Sequence, residues 1–402
     1  MTADLIRFER RLATPRWLLL SVPIAAGVVA LLLAAIFLAV TGRDPISTYR
    51  QMAQASVTRD GALSATMITA TPLLLTGLAA AIAFRMRAWN IGGEGQLYIG
   101  AIAAAGAGLV VGGQGLAVAL PAMCLAGMAG GALWAAIPGL LRAHLNTNEI
   151  LTSLMLNYVA ALLGYYLIFG SGSYWRDLTS PGAQVFPQGK EIAATSWWPG
   201  FLAPGVVLPL GFLVGIACAV ALFVTIRSTR FGFRLRVVSD SSRAALYAGI
   251  RTKRAFVLVM VLSGALAGLA GVSQVGDFAH QLDPKGLQGA AYGYTGIVVA
   301  ALARYNPIGV ILAALFMGAL ANAGLSLAGS DFPQGLVGMI EGIILFCALG
   351  GEVLSRYRIR VGRGSRALAS DSTVPAPRVD GIVGEGAGQG GAEVDMGTGR
   401  IL

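Results

Sequence analysis

Long apolar stretches, separated by short polar connections, make up most of residues 17–354. About 20 consecutive apolar residues form a helix long enough to cross a hydrocarbon core roughly 30 Å thick. By this measure the pattern predicts ten membrane-spanning helices, at residues 17–41, 61–84, 96–112, 115–141, 150–170, 205–226, 255–275, 290–303, 306–329 and 333–350. The third and eighth are short, which is typical of helices interrupted inside a membrane bundle. The predicted fold is an all-α, polytopic membrane helix bundle of about ten transmembrane helices.

Polar segments flank the predicted bundle on both sides. Residues 1–16 contain four arginines, and the apolar stretch that follows is too long for a cleaved signal peptide. We therefore expect an uncleaved first helix. Residues 355–402 form a tail whose Gly-, Ser- and Pro-rich composition cannot bury enough apolar surface to fold. The expected organisation is a cytoplasmic N-terminal segment, a membrane domain over residues 17–354 and a mostly disordered tail.

The composition is that of a membrane protein, since 56% of the residues are hydrophobic and 12% are charged. Soluble domains are about 25% charged, so this chain lacks the charge to cover a water-facing surface. With the N-terminus in the cytoplasm, 23 of the 29 Lys and Arg residues fall in cytoplasmic segments. Such an excess predicts that both termini are cytoplasmic and that the helix count is even. The net charge of +10 therefore reports membrane orientation and does not indicate nucleic-acid binding.

Motifs for enzymatic chemistry are absent from the sequence. It contains no GxxxxGK followed by Ser or Thr, so the chain does not bind ATP through such a phosphate-binding loop. Its three cysteines are dispersed in apolar runs, and neither of its two histidines has a partner at metal-ligand spacing. We therefore expect no enzyme, no metal site and no cofactor in this chain. The remaining classes are a transporter, a channel and a scaffold protein.

The most unusual polar stretch, residues 84–100, joins the second and third predicted spans and reads FRMRAWNIGGEGQLYIG. Its three closely spaced glycines predict a break in the helix. Irregular backbone at membrane depth is tolerated where protein buries it or where it lines a wet cavity. Trp89, Asn90, Glu94 and Gln96 are therefore candidates for solute contact. The alternative is a tight cytoplasmic turn in which Glu94 stabilises the N-terminus of the next helix, and spacing alone leaves both open.

Four more polar residues lie inside predicted spans: Asn157, Gln274, Asn322 and Glu341. Ionisable groups cost about 2.5–3.5 kcal/mol at the centre of a membrane helix, and they usually mark a functional site. Glu341 is an acid inside a predicted span, where it either belongs to a solute path or is a structural carboxylate bonded to neighbouring helices. All four are counted as solute-path candidates.

Residues 227–254 form a strongly basic connection with eight Lys and Arg residues and one acid, Asp240. Polybasic cytoplasmic segments attract anionic lipid head groups, and physical chemistry alone favours that interpretation. The same segment predicts a short helix over residues 240–250, capped by Ser239 or Asp240 and ended by Gly249. Such a helix between two spans is a suitable docking surface for a cytoplasmic partner.

Glycines recur four positions apart in two predicted spans, at Gly127 and Gly131 and at Gly264 and Gly268. Small residues at this spacing lie on one face of a helix and allow two helix backbones to approach closely. A general tolerance of membrane helices for glycine would produce the same pattern. Either explanation supports a tightly packed bundle.

Five stretches together resemble the permease subunits of ATP-binding-cassette (ABC) importers, in the branch that carries nucleosides, simple sugars and branched-chain amino acids. AWNIGGEGQLYIGA (88–101) is similar to the family's Asn-Ile-Gly-x-Glu-Gly-Gln motif, and TRFGFRLRVVSDSSRAALYAGI (229–250) resembles its cytoplasmic coupling segment. The other three are NTNEILTSLMLNYVA (146–160), LSGALAGLAGVSQVG (262–276) and GYTGIVVAALARYNPIGVILAALF (293–316). One departure is Ser239-Asp240-Ser241-Ser242, where relatives commonly have a turn like Gly-Glu/Asp-Asn-Pro.

The resemblance implies a permease subunit that carries a small polar solute across the bacterial plasma membrane by alternating access. The sequence is most similar to the nucleoside-type permeases, so the resemblance implies a nucleoside as the solute. Simple sugars and branched-chain amino acids are the alternative solutes. The implied partners are a fused double ABC ATPase that uses ATP and Mg²⁺, a second homologous permease and an extracytoplasmic solute-binding lipoprotein. The residues implied to contact the ATPase are Arg243, Ala244, Ala245, Gly249 and Ile250.

A self-contained secondary transporter or channel is the competing functional class, because it also needs no ATP motif. Proton-coupled carriers, however, usually contain a chain of intramembrane acids and bases. In this sequence Glu341 and Glu94 are the acids that could belong to such an intramembrane chain. Their scarcity and the coupling-like segment both favour the ABC permease.

Overall fold

The computed structural model of the chain describes residues 6–10, 16–203 and 206–327 and, further along, residues 338–340, 342–343, 346–347, 350–351 and 357–361. The chain divides into two compact units. Strands β1 (Ile6–Arg10) and β4 (Tyr357–Val361) pair as a two-stranded sheet that belongs mainly to the smaller unit. The larger unit contains the helices and an antiparallel hairpin of β2 (Gly200–Ala203) and β3 (Val206–Pro209). The tail beyond residue 361, which we expect to be disordered, lies outside the described residues.

The described residues between 16 and 327 form fourteen α-helices. They are α1 (Arg16–Val40), α2 (Pro45–Ala53), α3 (Ala62–Arg85), α4 (Gly93–Val111), α5 (Leu116–Leu145), α6 (Glu149–Tyr165), α7 (Pro181–Val185), α8 (Leu210–Ser228), α9 (Arg230–Asp240), α10 (Ser242–Tyr247), α11 (Thr252–Ser273), α12 (Pro284–Ala290), α13 (Tyr292–Leu302) and α14 (Pro307–Leu327). Segments of π-helix extend α2, α6 and α11, at Gln54–Thr58, Tyr166–Gly170 and Gln274–Ala279. Short 3₁₀ turns occur at Gly112–Gln114 and Ala194–Ser196.

Seven of the described helices, namely α3, α4, α5, α6, α8, α11 and α14, are long and apolar enough to cross a membrane. The count is eight if α1 and α2, which meet at a bend of 120°, form one broken span. Each of the seven coincides with a predicted span to within about five residues at either end. The all-α membrane bundle is thus confirmed. The total of ten spans and the cytoplasmic position of the termini stay predictions.

Two of the predicted spans have different lengths in the structure. Residues 290–303 are not a complete crossing, because Ala291 has a left-handed backbone (φ 48°) that separates α12 from α13. Helix α13 therefore has 11 residues and is about 16 Å long, half of a membrane crossing. The third predicted span is longer than expected, because its glycines lie within the first turn of α4 and do not delay its start. The tenth, residues 333–350, lies largely outside the described residues.

Helix α3 lies at the centre of the bundle, with α8, α11, α13 and α14 packed around it. Leu73, Leu74, Leu75 and Leu78 of this helix are at most 1% exposed. A helix that is apolar on all sides is typical of one surrounded by other helices. The hydroxyl of Thr76 in α3 donates to the backbone carbonyl of Tyr292 at 3.0 Å. The N-terminus of the half-length helix α13 therefore lies beside the middle of α3.

Helices α5 and α11 pack through the four glycines that the sequence singled out. A Cβ atom on Gly131 would overlap the carbonyl oxygen of Gly264, and one on Gly268 would overlap that of Gly127. The two backbones therefore touch at points where any side chain would hold them apart. This contact confirms the close helix packing that the glycine spacing predicts.

Candidate functional site

Asn90 and Gln96, at the start of α4, pair with each other through both of their amide groups. Asn90 Nδ2 donates to Gln96 Oε1 at 3.0 Å, and Gln96 Nε2 donates to Asn90 Oδ1 at 2.9 Å. Asn90 Nδ2 also donates to the Ser263 hydroxyl of α11 at 2.9 Å. Asn90 and Gln96 are 3% and 1% exposed. Their amides are satisfied largely by groups of the protein itself, as buried polar groups usually are.

Asn157 of α6 binds the first turn of α4 from the side. Its Oδ1 accepts from the Gly95 N–H at 2.9 Å, and its Nδ2 donates to the Ile91 carbonyl at 2.9 Å. A Cβ atom on Gly95 would lie 2.9 Å from the Asn157 Cα, so a glycine is needed for this approach. Asn157 Nδ2 also donates to the Tyr294 hydroxyl at 3.1 Å. One amide thereby connects α4, α6 and α13.

Glu94 lies where the N-termini of α4 and α13 meet. It is 6% exposed, and its Oε2 accepts a hydrogen bond from the Gly293 N–H at 2.6 Å. Because α13 begins at Tyr292, the Gly293 N–H is one of the four that have no partner within their own helix. The carboxylate supplies that partner, and its charge lies beside the positive ends of two helix dipoles. We name Asn90, Glu94, Gln96 and Asn157 the polar clamp.

The polar clamp bears on the two interpretations that the sequence left open for residues 88–96. The non-helical stretch is 86–92, and Glu94 lies in the first turn of α4, as the turn interpretation requires. The clamp is buried among helices, however, and does not lie on a cytoplasmic surface. Its residues hold helices together, and their assignment to a solute path stays a prediction.

The other solute-path candidates have different surroundings. Trp89 is 44% exposed and packs on Phe84, with ring centroids 5.0 Å apart. Asn322 of α14 is buried and donates to the Ala55 carbonyl at 3.2 Å and to the Thr66 hydroxyl at 3.1 Å. These bonds tie α14 to α3 and to the π-helical end of α2. Glu341 lies outside the described residues.

A cavity of about 510 Å³ lies between α3, α12, α14 and the π-helical segment that ends α11. Its volume falls in the range of roughly 300–1,000 Å³ that is typical of small-molecule sites. The polar residues in its wall are Thr69, Gln274, Gln281, Asp283, Lys285 and Tyr292. Among the described solute-path candidates, Gln274 borders this cavity, whereas the polar clamp, Trp89 and Asn322 do not.

Sequence reasoning missed Phe278, Gln281 and Tyr292 as residues of the cavity wall. Gln281 lies in a connection between predicted spans. Aromatic residues near the ends of apolar stretches, such as Phe278 and Tyr292, are typical of anchors at the membrane interface. One sequence feature could have indicated this cavity wall: the polar residues Gln274 and Asp277 interrupt an apolar run just after α11.

The connection between α6 and α8 packs on the loop that follows the π-helical segment. The Ile192 N–H donates to the His280 carbonyl at 2.9 Å. The Trp197 and His280 rings stack, with centroids 4.1 Å apart. Burial lowers the pKa of His280 below its usual value, which favours the neutral imidazole. The stacked pair and the backbone hydrogen bond hold the loop next to the cavity.

Helices α9 and α10 form the basic connection between α8 and α11. The short helix predicted over residues 240–250 is present as α10, but its cap is Ser241, whose hydroxyl accepts from the Ala244 N–H at 3.2 Å. The predicted caps Ser239 and Asp240 are wrong, because α9 continues through Asp240. Gly249 follows α10 with a left-handed backbone (φ 72°), the conformation that favours glycine after a helix.

Helix α10 presents an apolar tip, because Tyr247 is 94% exposed and Leu246 is 60% exposed. The residues implied to contact an ATPase differ in their exposure. Arg243, Ala244 and Gly249 are exposed and Ile250 is half-buried, whereas Ala245 is completely buried. Ala245 therefore packs inward, and Tyr247 is the larger side chain available to a partner.

Known proteins are similar to most of this chain. The family described as the permease component of the branched-chain amino acid transport system matches residues 62–349. The glucose ABC transporter permease protein of Haloferax volcanii is 32% identical over 381 residues, which cover 90% of this chain and 97% of the relative. The guanosine ABC transporter permease protein of Bacillus subtilis is 32% identical over 350 residues, covering 86% and 96%. The nucleoside ABC transporter permease protein of Lactococcus lactis is 30% identical over 331 residues, covering 81% and 89%.

Proposed function

The chain belongs to the family of the permease component of branched-chain amino acid transport systems, and from this membership and its named relatives we propose that it carries a nucleoside. It is a multi-pass membrane protein, the permease subunit of an ABC importer of the nucleoside and sugar branch. Such a subunit is not itself an enzyme, and an ATPase partner supplies the energy.

The observation that carries the nucleoside assignment is the similarity to two permeases named for nucleoside and guanosine transport. Both alignments cover more than four-fifths of this chain. A sugar is the second candidate, because a glucose permease is equally similar. Uptake of labelled uridine, glucose and leucine by cells that express the complete transporter distinguishes the candidates. We expect uridine to be taken up, whereas exclusive uptake of glucose or leucine would overturn the nucleoside assignment.

The exposed tip of α10 supports contact between this chain and the ATPase. Tyr247 and Leu246 form an apolar tip within a segment that carries eight Lys and Arg residues. Large aromatic side chains with a polar surround are typical anchors of protein interfaces. We assign the contact with the ATPase to α10, with Tyr247 as its anchor and Arg243 and Ala244 beside it.

Replacing Tyr247 by alanine is expected to reduce ATP-driven uridine uptake at least fivefold, with wild-type amounts of the chain in the membrane. The side chain is 94% exposed, so its removal costs little folding energy. An aromatic anchor contributes about 2 kcal/mol or more to an interface, which is roughly a 30-fold change in affinity. The measurements are uptake and the amount of ATPase that co-purifies with the tagged chain.

Phe186→Ala is the matched control, because Phe186 is an aromatic side chain that is 76% exposed just after α7, outside the basic connection that contains α10. We expect this variant to retain both uptake and the bound ATPase. If Tyr247→Ala also retains both, α10 does not dock the ATPase, and the attraction of the basic segment to lipid becomes its better explanation.

We further infer that the complex contains a second homologous permease, a fused double ATPase and a lipid-anchored solute-binding protein. The resemblance to nucleoside-type permeases supports this composition. Leu125, Leu133 and Leu162 are each about 70% exposed on α5 and α6, so these helices have apolar faces to offer to lipid or to a second permease. Mass spectrometry of the purified, tagged complex tests the composition. Recovery of this chain as the complex's single permease species would contradict it.

A further inference from the structure

We propose that the cavity between α3, α12, α14 and the π-helical segment that ends α11 binds the nucleoside, with Gln274 and Tyr292 as its hydrogen-bonding residues. The inference rests on the proposed function and adds a location and a chemistry to it. Gln274 lies at the end of α11 and Tyr292 at the start of α13, and both border the cavity of about 510 Å³.

Gln274 and Tyr292 are nearly buried, and their polar side-chain groups have no hydrogen-bond partner in the part of the chain that the structure describes. Gln274 is 6% exposed and Tyr292 is 7% exposed. In the polar clamp, by contrast, the buried amides of Asn90, Gln96 and Asn157 are paired. Both side chains border the cavity without a protein partner among the described residues, so the Gln274 amide and the Tyr292 hydroxyl are available to a polar solute there.

The charged residues of the cavity wall already interact with the protein. Asp283 caps α12, where its Oδ1 accepts from the Gly286 N–H at 3.1 Å. The Lys285 ammonium lies 4.8 Å from the centre of the Phe169 ring, in a cation–π contact. The amides of Gln274 and Gln281 and the Tyr292 hydroxyl are uncharged hydrogen-bonding groups of the described wall, and they suit an uncharged polar solute.

The apolar part of the wall distinguishes a nucleoside from a sugar. Val275, Phe278, Leu287 and Leu325 border the same cavity. A nucleobase has a flat apolar face that packs against aromatic and aliphatic side chains, and its edge carries both donors and acceptors. A glutamine amide also carries a donor and an acceptor and can bind such an edge. A sugar has no such flat aromatic face, so the apolar residues favour a nucleoside.

Removing the two polar groups in turn tests the proposal. In the complete transporter, Gln274→Ala and Tyr292→Phe are each expected to raise the KM for uridine uptake about threefold to tenfold, the effect of one lost hydrogen bond. Tyr292→Phe keeps the buried ring, so it removes the hydroxyl without opening a cavity. Gln114→Ala, at an exposed glutamine outside the cavity, is the matched control and is expected to keep the wild-type KM.

A second pair of variants tests the volume of the cavity. Leu325→Trp would fill part of it, and Leu325 is 57% exposed, so the larger side chain has room to be accommodated in the fold. We expect at least a tenfold loss of uridine uptake. Leu312→Trp places the same side chain on the same helix, at a residue that is 70% exposed and does not border the cavity. It is expected to retain uptake.

The outcomes separate this inference from the proposed function. Wild-type KM values in Gln274→Ala and Tyr292→Phe, together with normal uptake by Leu325→Trp, would place the nucleoside elsewhere and leave the proposed function intact. If the wild-type transporter takes up glucose and not uridine, and these variants impair glucose uptake, the cavity is a solute site but the nucleoside proposal is overturned. If the wild type takes up no uridine and the variants change no uptake, both fail.

Discussion

Replacement of Glu94 by alanine is expected to reduce nucleoside uptake at least tenfold, because it removes the acceptor that joins α4 to α13. The Glu94 carboxylate accepts from the Gly293 N–H at 2.6 Å, deep inside the bundle. A Cβ atom on Gly293 would overlap the Glu94 backbone, so the two helix ends touch and leave little room for a substitute water. A buried donor that loses its partner costs about 1–3 kcal/mol, and more where the partner is charged. The half-length helix α13 would then lose its anchor beside α3.

The kinetic form of the loss distinguishes a clamp from a solute contact. If Glu94 positions helices, residual uptake in Glu94→Ala has a normal KM, a Vmax reduced at least tenfold and a lower melting temperature of the purified complex. If Glu94 binds solute, the KM rises and the melting temperature is unchanged. Glu94→Gln keeps an acceptor oxygen and is expected to lie between alanine and wild type. Asp60→Ala, at an exposed acid, is the control, and wild-type uptake and stability of Glu94→Ala would refute the clamp.

Gly131→Leu is expected to eliminate the folded permease from the membrane. A Cβ at this position would overlap the Gly264 carbonyl oxygen and lie 2.7 Å from the Gly268 Cα. Both obstacles are backbone atoms of α11, so no rotamer change relieves the clash and the helices must separate. Overpacking of a core costs typically 1–3 kcal/mol even where side chains can shift, and here the backbone itself must move. The measurement is the amount of chain that survives detergent extraction as a monodisperse peak.

Gly130→Ala provides a control one residue away on the same helix. Its Cβ would lie 3.2 Å from the Ala103 Cβ and from the Ile99 carbonyl oxygen, tight contacts that shifts of a few tenths of an ångström relieve. We expect near-wild-type amounts of this variant. Equal survival of Gly131→Leu and Gly130→Ala would show that the α5–α11 contact does not hold the bundle together.

The positions and lengths of the membrane spans were predictable from the sequence, because each apolar helix must cross a hydrocarbon core of the same thickness. Seven of the predicted spans coincide with helices of the structure for this reason. The start of α4 was not predictable from local pattern. Its glycines weaken a helix in isolation, but Asn157 and Asn90 supply hydrogen bonds to the backbone at its N-terminus. Asn157 comes from a helix more than 60 residues away in the chain, and local propensity does not register such contacts.

Polarity inside an apolar run singled out several residues but did not predict their different surroundings. Asn90, Asn157 and Gln274 read alike in the sequence, as polar groups within predicted spans or at their ends. In the structure the two asparagines are bonded to other helices, whereas Gln274 borders a cavity with its amide unpaired among the described residues. The difference depends on which helices lie opposite each residue, and that is a property of the fold. Tyr292 was missed because a tyrosine beside an apolar stretch usually anchors a helix at the interface.

The short helix of the basic connection was predicted in its position, but its predicted cap was wrong. The basic segment and Gly249 located a short helix between two spans. The helix begins at Ser242 after the Ser241 cap, later than expected. Ala245 is buried, and Tyr247 is exposed at the tip. The side of α10 that faces inward is set by its packing on α9 and α11, which the local sequence pattern does not register.

Uptake of labelled uridine into proteoliposomes that contain the purified complex, its ATPase and its solute-binding protein tests most directly whether ATP drives transport through this chain. The expected result is accumulation that requires ATP, continues after ionophores collapse all ion gradients, and is strongly reduced by Tyr247→Ala. Uridine uptake by this chain alone, driven by an ion gradient and indifferent to ATP, would contradict it and identify a self-contained secondary transporter.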